Sequence, residues 1–307
     1  MNSAEDFPLF DAHLHFSQAY LEQGLASLDQ CGVKGGINLW AAGLGYVTYS
    51  FDFAEFLQLL RARTNGRFVS FYWPDWTQFG WDPDRFVATL CRDMERYAAL
   101  GCRGLKVWKD LGMMIIHPDG TPARMDDPRL EPVWRTAAAL HWTIAVHQGD
   151  PISVFEHPCR THLSREEIWT RRDRVIRAHP ELTFILCHSG NDVGNVAAWS
   201  ELMERLPNTL GELNRDPLAS DSAADVRAFL TRYRDRMLFG TDNVMPIERP
   251  PDHAWSVENI YQPWRRTLRA LDLDEETFRK LTWENGVRLL ATGAMDLPPH
   301  QQGGACV

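Results

Sequence analysis

An alternation of short apolar runs with helical patterns predicts a (β/α)8 barrel, an α/β fold with a single parallel sheet closed on itself. Three observations carry it. Eight apolar runs recur from Pro8 to Phe239, each followed by a helical stretch. The 307 residues suit a barrel of ~250 residues plus extra C-terminal helices. Residues able to bind a metal or move a proton close several of these runs, where barrels of this kind carry their chemistry. Residues 1–293 are read as the barrel domain and 294–307 as a flexible polar tail with Pro298-Pro299 and Gly303-Gly304.

The elements follow in order. Pro8 to His15 reads as the first strand, and the helix Tyr20 to Cys31 is closed by Gly32. Val33 to Trp40 is the second strand; Ala41 to Tyr49 is a loop, then a helix covers Phe53 to Arg63 and turns at Asn65-Gly66. The third strand is Arg67 to Trp73, followed by a loop to Trp81 and a helix from Pro83 to Leu100. The fourth is Cys102 to Trp108, before a helix at Glu131 to Leu140. Thr143 to His147 is the fifth, and Ser164-x-x-Glu167 is a capping box opening the helix to His179. Leu182 to Cys187, Thr209 to Leu213 and Met237 to Phe239 complete the strands, with helices at Asn195 to Leu206 and Ser222 to Arg234. Helices at Ser256 to Ala270, Asp274 to Thr282 and Glu284 to Ala291 end the fold. An open doubly wound sheet would need a Gly-rich phosphate turn after the first strand, and Asp11-Ala12-His13-Leu14-His15 is not one.

The net charge of −9 argues against nucleic acid or an anionic membrane as the main partner. The N-terminus lacks a signal-peptide pattern, and no apolar run reaches the ~18 residues of a membrane helix. Six scattered cysteines without a C-x-x-C pair read as reduced thiols in a cytoplasmic protein. Twelve Trp divide between core filling and pocket walls.

On a strand, His13 and His15 project from one face with Cα atoms roughly 6.5–7 Å apart, so two imidazoles can share one ion. His147 ends the fifth strand, His188 follows the sixth and Asp242 follows the eighth. His13, His15, His147 and Asp242 suffice to hold one divalent ion and leave a position for water. His188, close but unligated, polarises a substrate oxygen or shuttles a proton.

His13-Leu14-His15, a lone His after the fifth and sixth strands, and Phe239-Gly240-Thr241-Asp242 resemble the amidohydrolase superfamily. Gly104-Leu105-Lys106 and Asn285-Gly286-Val287-Arg288-Leu289-Leu290 narrow the resemblance to the amidohydrolase-2 branch, over about Phe10 to Leu290. The resemblance implies a mononuclear centre, usually zinc with manganese or iron as alternatives, on those four ligands, with His188 as acid/base. It implies a homodimer. A bridging carboxylated Lys106 belongs to binuclear relatives; here Lys106 is read as a local cation beside one metal.

Trp40, Trp108, Glu212 and Arg215 are the expected substrate contacts, with Arg215 suited to clamp a carboxylate. The leading reading is a metal-dependent hydrolase of a small ester, lactone or amide, in which a metal-activated water attacks and Asp242 is the base. The alternative is a non-oxidative decarboxylase of an aromatic or unsaturated acid on the same site. Hydroxybenzoate decarboxylases of the branch often carry Glu where His13 stands, although other decarboxylases keep H-x-H. A non-catalytic binding barrel is the third reading.

Overall fold

Residues on each strand alternate between two apolar surroundings, with the period of two that a strand imposes. The computed structural model describes residues 7–15, 17–39, 52–149, 155, 161–214, 221–244 and 257–292. In the strand Thr143–Val146, Ile144 and Val146 face the surrounding helices while Ala145 joins an inner cluster. Phe184 and Leu186 against Ile185, and Met237 and Phe239 against Leu238, repeat the division. Both faces are buried, which is why these strands read as continuous apolar runs.

The strands are β1 (Leu9–His15), β2 (Val33–Asn38), β3 (Phe68–Ser70), β4 (Gly104–Val107), β5 (Thr143–Val146), β6 (Thr183–Leu186), β7 (Thr209–Leu213), β8 (Met237–Phe239) and β9 (Asn243–Val244). They pair in parallel in two arcs, β3-β2-β1-β9 and β4-β5-β6-β7-β8. Tyr72 joins the arcs at one seam. Its N–H donates to the Gly104 carbonyl and its carbonyl accepts from Lys106 N–H, both at 2.7 Å. At the other seam the chain leaves β8 through Gly240–Asp242 and enters β9, which pairs with Leu14 and His15 of β1. The order thus returns to its start, as the predicted barrel requires.

The helices lie outside and are capped as the sequence indicates. Ser164 and Glu167 form the capping box, and Asp52, Asp82, Asn195, Ser222 and Asp274 accept from first-turn N–H groups. Three local differences stand out. A helix, Thr77–Trp81, occupies part of the predicted loop after β3, started by Asp75 bonding Thr77 and Gln78. A π-turn, Lys280–Glu284, joins the last two helices, Glu275–Arg279 and Asn285–Thr292. β9 was not anticipated, because a two-residue strand carries no periodicity. The final helix lies against β1 so closely that a Cβ at Gly286 would fall 2.1 Å from Phe10 Cδ1.

Among the described residues no helix is long and apolar enough to cross a membrane, and Cys31, Cys91, Cys102 and Cys187 are free thiols. The tail 294–307 lies outside the described residues.

Candidate active site

The site is built on β1, whose pairing with β2 is irregular between Asp11 and Leu14. The first residue to consider is Asp11, which is fully buried. It accepts from His13 N–H at 2.9 Å, from Thr241 N–H at 3.1 Å and Oγ1–H at 2.6 Å, and from the Tyr261 hydroxyl. Burial pushes its carboxyl up to about 7 against the pull of these donors. The two bonds from Thr241 tie the histidine strand to the turn that carries Asp242, a residue held at φ 54°.

At that turn the donor atoms meet. His13 Nε2 lies 3.1 Å from His15 Nε2 and 3.4 Å from Asp242 Oδ1, and His15 Nε2 lies 3.1 Å from the same oxygen. Four donors held 2.0–2.1 Å from a tetrahedral ion stand about 3.3–3.4 Å apart, so the triangle has the size of a metal centre. Two imidazoles and a carboxylate are also the right chemistry for zinc, manganese or iron. The residues therefore fit a divalent ion. Burial works to raise the Asp242 carboxyl, but the imidazoles of His13, His15 and His188 outweigh it and hold the group well below the usual carboxylate range.

Behind His13 stands Glu212 of β7, with no exposed surface. Both its oxygens lie 2.9 Å from His13 Nδ1, which places the ring proton there and turns the Nε2 lone pair toward His15 and Asp242. Its Oε1 also accepts from Asn214 Nδ2 at 2.9 Å and His188 N–H at 3.3 Å. Glu212 thus underpins a donor and does not line the rim; on a strand its side chain points into the barrel beneath the histidines. A Cβ at Gly240 would meet Glu212 Cγ at 2.8 Å and His13 Cβ at 3.0 Å, so glycine lets the three strands converge.

His188 opens a left-handed turn. His188, Ser189, Gly190 and Asn191 have φ values of 53°, 53°, 77° and 65°. Left-handed backbone costs roughly 1–2 kcal/mol for each non-glycine residue. The turn swings His188 inward, with ring centroids 5.0 Å from His13 and 4.2 Å from His147. His188 joins His13 and Asp242 in a group whose ligand atoms all lie within 4.8 Å. His147, at the end of β5, stands beside His188. Burial lowers the His147 imidazole well below its ordinary value, helped by Lys106 and Lys109, so it is neutral.

Lys106 is buried, its Nζ donating to Cys187 Sγ at 3.2 Å. The other described group of ligand atoms, His13 with Cys187 and Glu212, shares His13. Trp73 and Trp108 form an aromatic arc over the site, with ring centroids 5.1 Å apart. Trp73 lies 6.2 Å from His15 and Trp108 6.5 Å from His147, so the arc runs from one side of the donor cluster to the other. Trp76, Trp134, Trp142 and Trp199 are buried core. His117 pins its own loop through Arg129 Nη2 at 2.9 Å. Trp40 and Arg215 lie outside the described residues.

The sequence profile of the amidohydrolases, in their amidohydrolase-2 branch, matches residues 10–292. The chain belongs to the amidohydrolase family. Among solved structures, this amidohydrolase is similar to 2,6-dihydroxybenzoate decarboxylase from Rhizobium, with 17% identity, a TM-score of 0.60, and 92% and 98% of the two chains covered. It is also similar to dihydroxybenzoic acid decarboxylase from Polaromonas, a structure with bound manganese and 2-nitroresorcinol, at 15% identity, TM-score 0.63 and 95% and 99% coverage. A third is 5-carboxyvanillate decarboxylase from Novosphingobium aromaticivorans, complexed with manganese and 4-hydroxy-3-methoxy-5-nitrobenzoic acid, at 12% identity, TM-score 0.60 and 94% and 97% coverage. At such identities the likeness speaks for the barrel fold. No curated protein matches in sequence.

Sequence reasoning missed Asp11, and it placed Glu212 among the substrate contacts at the rim. The available signal for Glu212 was a carboxylate within an otherwise apolar strand, since a buried charge needs a partner.

Proposed function

We propose that this amidohydrolase is a metal-dependent lyase that removes CO2 from a flat aromatic or unsaturated carboxylic acid. The observation that carries the reading is the Trp73–Trp108 arc spanning the cluster from His15 to His147. A planar ring stacked on it lies over the donor atoms. Lys109 Nζ stands 5.1 Å over the Trp108 ring and adds positive charge toward an anionic substrate. The manganese-containing decarboxylases of similar fold favour this reading over the hydrolase expected from sequence.

His13, His15 and Asp242 would hold the ion, with His188 or His147 completing the set. Bound there, a divalent ion supplies a Lewis acid to the substrate carboxylate and its neighbouring oxygen. Glu212 keeps the His13 lone pair aimed at that point. The arc fixes the ring so that the C–C bond to the carboxylate breaks with its electron pair left on the ring carbon. That carbon then takes a proton from solvent, and with His147 completing the set His188 is the imidazole placed to hand it over.

A hydrolase acting on a small ester, lactone or amide is the second reading. It is favoured by the intact His13-Leu14-His15 and by Asp242, an ionised carboxylate 3.1 Å from His15 Nε2 that can take a proton from water. Zinc is the ion this reading favours and manganese the one the first favours. Elemental analysis of the purified chain is expected to give about one equivalent of divalent metal, lost in His13→Ala/His15→Ala. The metal-loaded protein is then offered hydroxybenzoates, unsaturated acids, lactones and amides. CO2 release that His15→Ala abolishes is the expected result; ring opening of a lactone or amide without CO2 would overturn the lyase in favour of the hydrolase. Light scattering reads the homodimer expected from the family.

A further inference from the structure

The left-handed turn after β6 is held by one side-chain amide. Asn191 is fully buried. Its Nδ2 donates to the Val146 carbonyl and to the Cys187 carbonyl, each at 2.9 Å. Those are the carbonyls immediately before His147 and His188. One NH2 group therefore bridges the ends of β5 and β6 at the two residues that set where both imidazoles begin. Its Oδ1 accepts from Arg172 Nη1 at 2.8 Å. A guanidinium only donates and two carbonyls only accept, so this orientation of the amide is the one that satisfies every group.

Arg172 arrives from the outer helix Arg165–Ala178 and is itself buried. Its Nη1 also reaches the Gly190 carbonyl at 3.4 Å, inside the turn. Asp173 accepts from Arg172 Nε at 2.9 Å and from Arg205 Nη2 at 2.9 Å, so the buried cation is paired. Ser189 Oγ donates to the Asn214 carbonyl at 2.7 Å and anchors the turn to β7.

We propose that Asn191, oriented by Arg172, is a positioning residue that sets the separation of His147 and His188 and so the shape of the metal-binding cluster. This rests on the metal-dependent reading of the site. Neither residue touches the cluster, so the clamp acts through the backbone of the two histidines. Three non-glycine residues are kept left-handed here, and a conformation this rare persists where its surroundings over-determine it. Asn191 is the residue whose bonds reach the β5 end, the β6 end and the outer helix together.

The test uses the full chain stripped of metal and titrated with Co2+, followed by visible absorption, with circular dichroism to verify folding. Asn191→Gly is the decisive variant. Glycine adopts the left-handed conformation without strain, so it removes the clamp alone. The expected result is Co2+ affinity about 10–100-fold weaker with an altered absorption band, the size typical of losing a group that orients a ligand. Asn191→Asp, which would pair with Arg172 but sets carboxylate oxygens against two carbonyls, is expected not to rescue it. Arg172→Met gives a second route that leaves the amide in place and is expected to shift the same band in the same direction. Wild-type affinity and spectrum in folded Asn191→Gly would overturn the proposal. If the wild-type chain itself takes up no Co2+, the metal reading fails. The clamp is then judged on the imidazole 1H–15N resonances of His147 and His188, and unchanged resonances in Asn191→Gly overturn it.

Discussion

Replacing Glu212 by Gln isolates what the buried carboxylate does for His13. The substitution keeps shape and volume, so it opens no cavity. It exchanges two acceptors for one acceptor and one donor. In the native site both oxygens lie 2.9 Å from His13 Nδ1, and Oε1 also takes Asn214 Nδ2 at 2.9 Å. A glutamine can serve Asn214 and His188 N–H with its carbonyl, but its NH2 then faces Nδ1 and favours the tautomer with the proton on Nε2. That tautomer points a proton where His15 Nε2 and Asp242 Oδ1 converge. Loss of a carboxylate that orients a metal-binding histidine typically costs 10–100-fold in affinity, or about 1.4–2.7 kcal/mol. A buried hydrogen bond to a charged group, about 1.5–3 kcal/mol, gives the same size by an independent route. The assay is competition for Zn2+ against a chromophoric chelator, wild type beside Glu212→Gln, with the thermal midpoint of each metal-free protein as control. Affinity within twofold of wild type, at equal metal-free stability, would refute the orienting role.

Asp110 follows β4, is 3% exposed, and its Oδ2 has no partner among the described residues. Burial pushes its carboxyl from 3.8 to about 7, so the folded chain binds a proton that the unfolded chain has released. The resulting penalty is absent below about pH 4, grows between pH 4 and 7 and is constant above, with a ceiling of about 4 kcal/mol. Asp110→Asn should therefore raise the midpoint of urea unfolding at pH 8 and leave it near wild type at pH 4; equal shifts at both values would contradict this. Gly286→Ala should destabilise by about 1–3 kcal/mol, since its Cβ meets Phe10 Cδ1 at 2.1 Å and both lie in packed structure. An unchanged denaturation curve would show that the last helix is free to shift. Trp108→Ala should raise KM for an aromatic acid at least tenfold with kcat less affected, and Trp108→Phe should restore most of it. A fall confined to kcat would place the ring outside the substrate contact.

The order of elements was legible because local rules decide it. Parallel strands buried on both faces leave continuous apolar runs, and Ser164 with Glu167 announces its helix start through bonds three residues apart. The meeting of His13, His15 and Asp242 was equally legible, from a period of two on β1 and from strand ends sharing one barrel rim. Other features depend on partners far apart in the chain. Glu212 becomes the support of His13 because β8 alone separates β7 from β1 around the barrel, although the two residues lie 199 apart in sequence. Asp11 clamps Thr241 across 230 residues, and Asn191 reaches Val146 across 45. The inward swing of His188 arises in a left-handed turn, for which Cys187-His188-Ser189-Gly190-Asn191 carries no periodic signal. Local sequence thus determined which donor atoms reach the rim. Only the folded barrel decided which of them stand together, because the bonds that aim them are made by residues that only packing brings near.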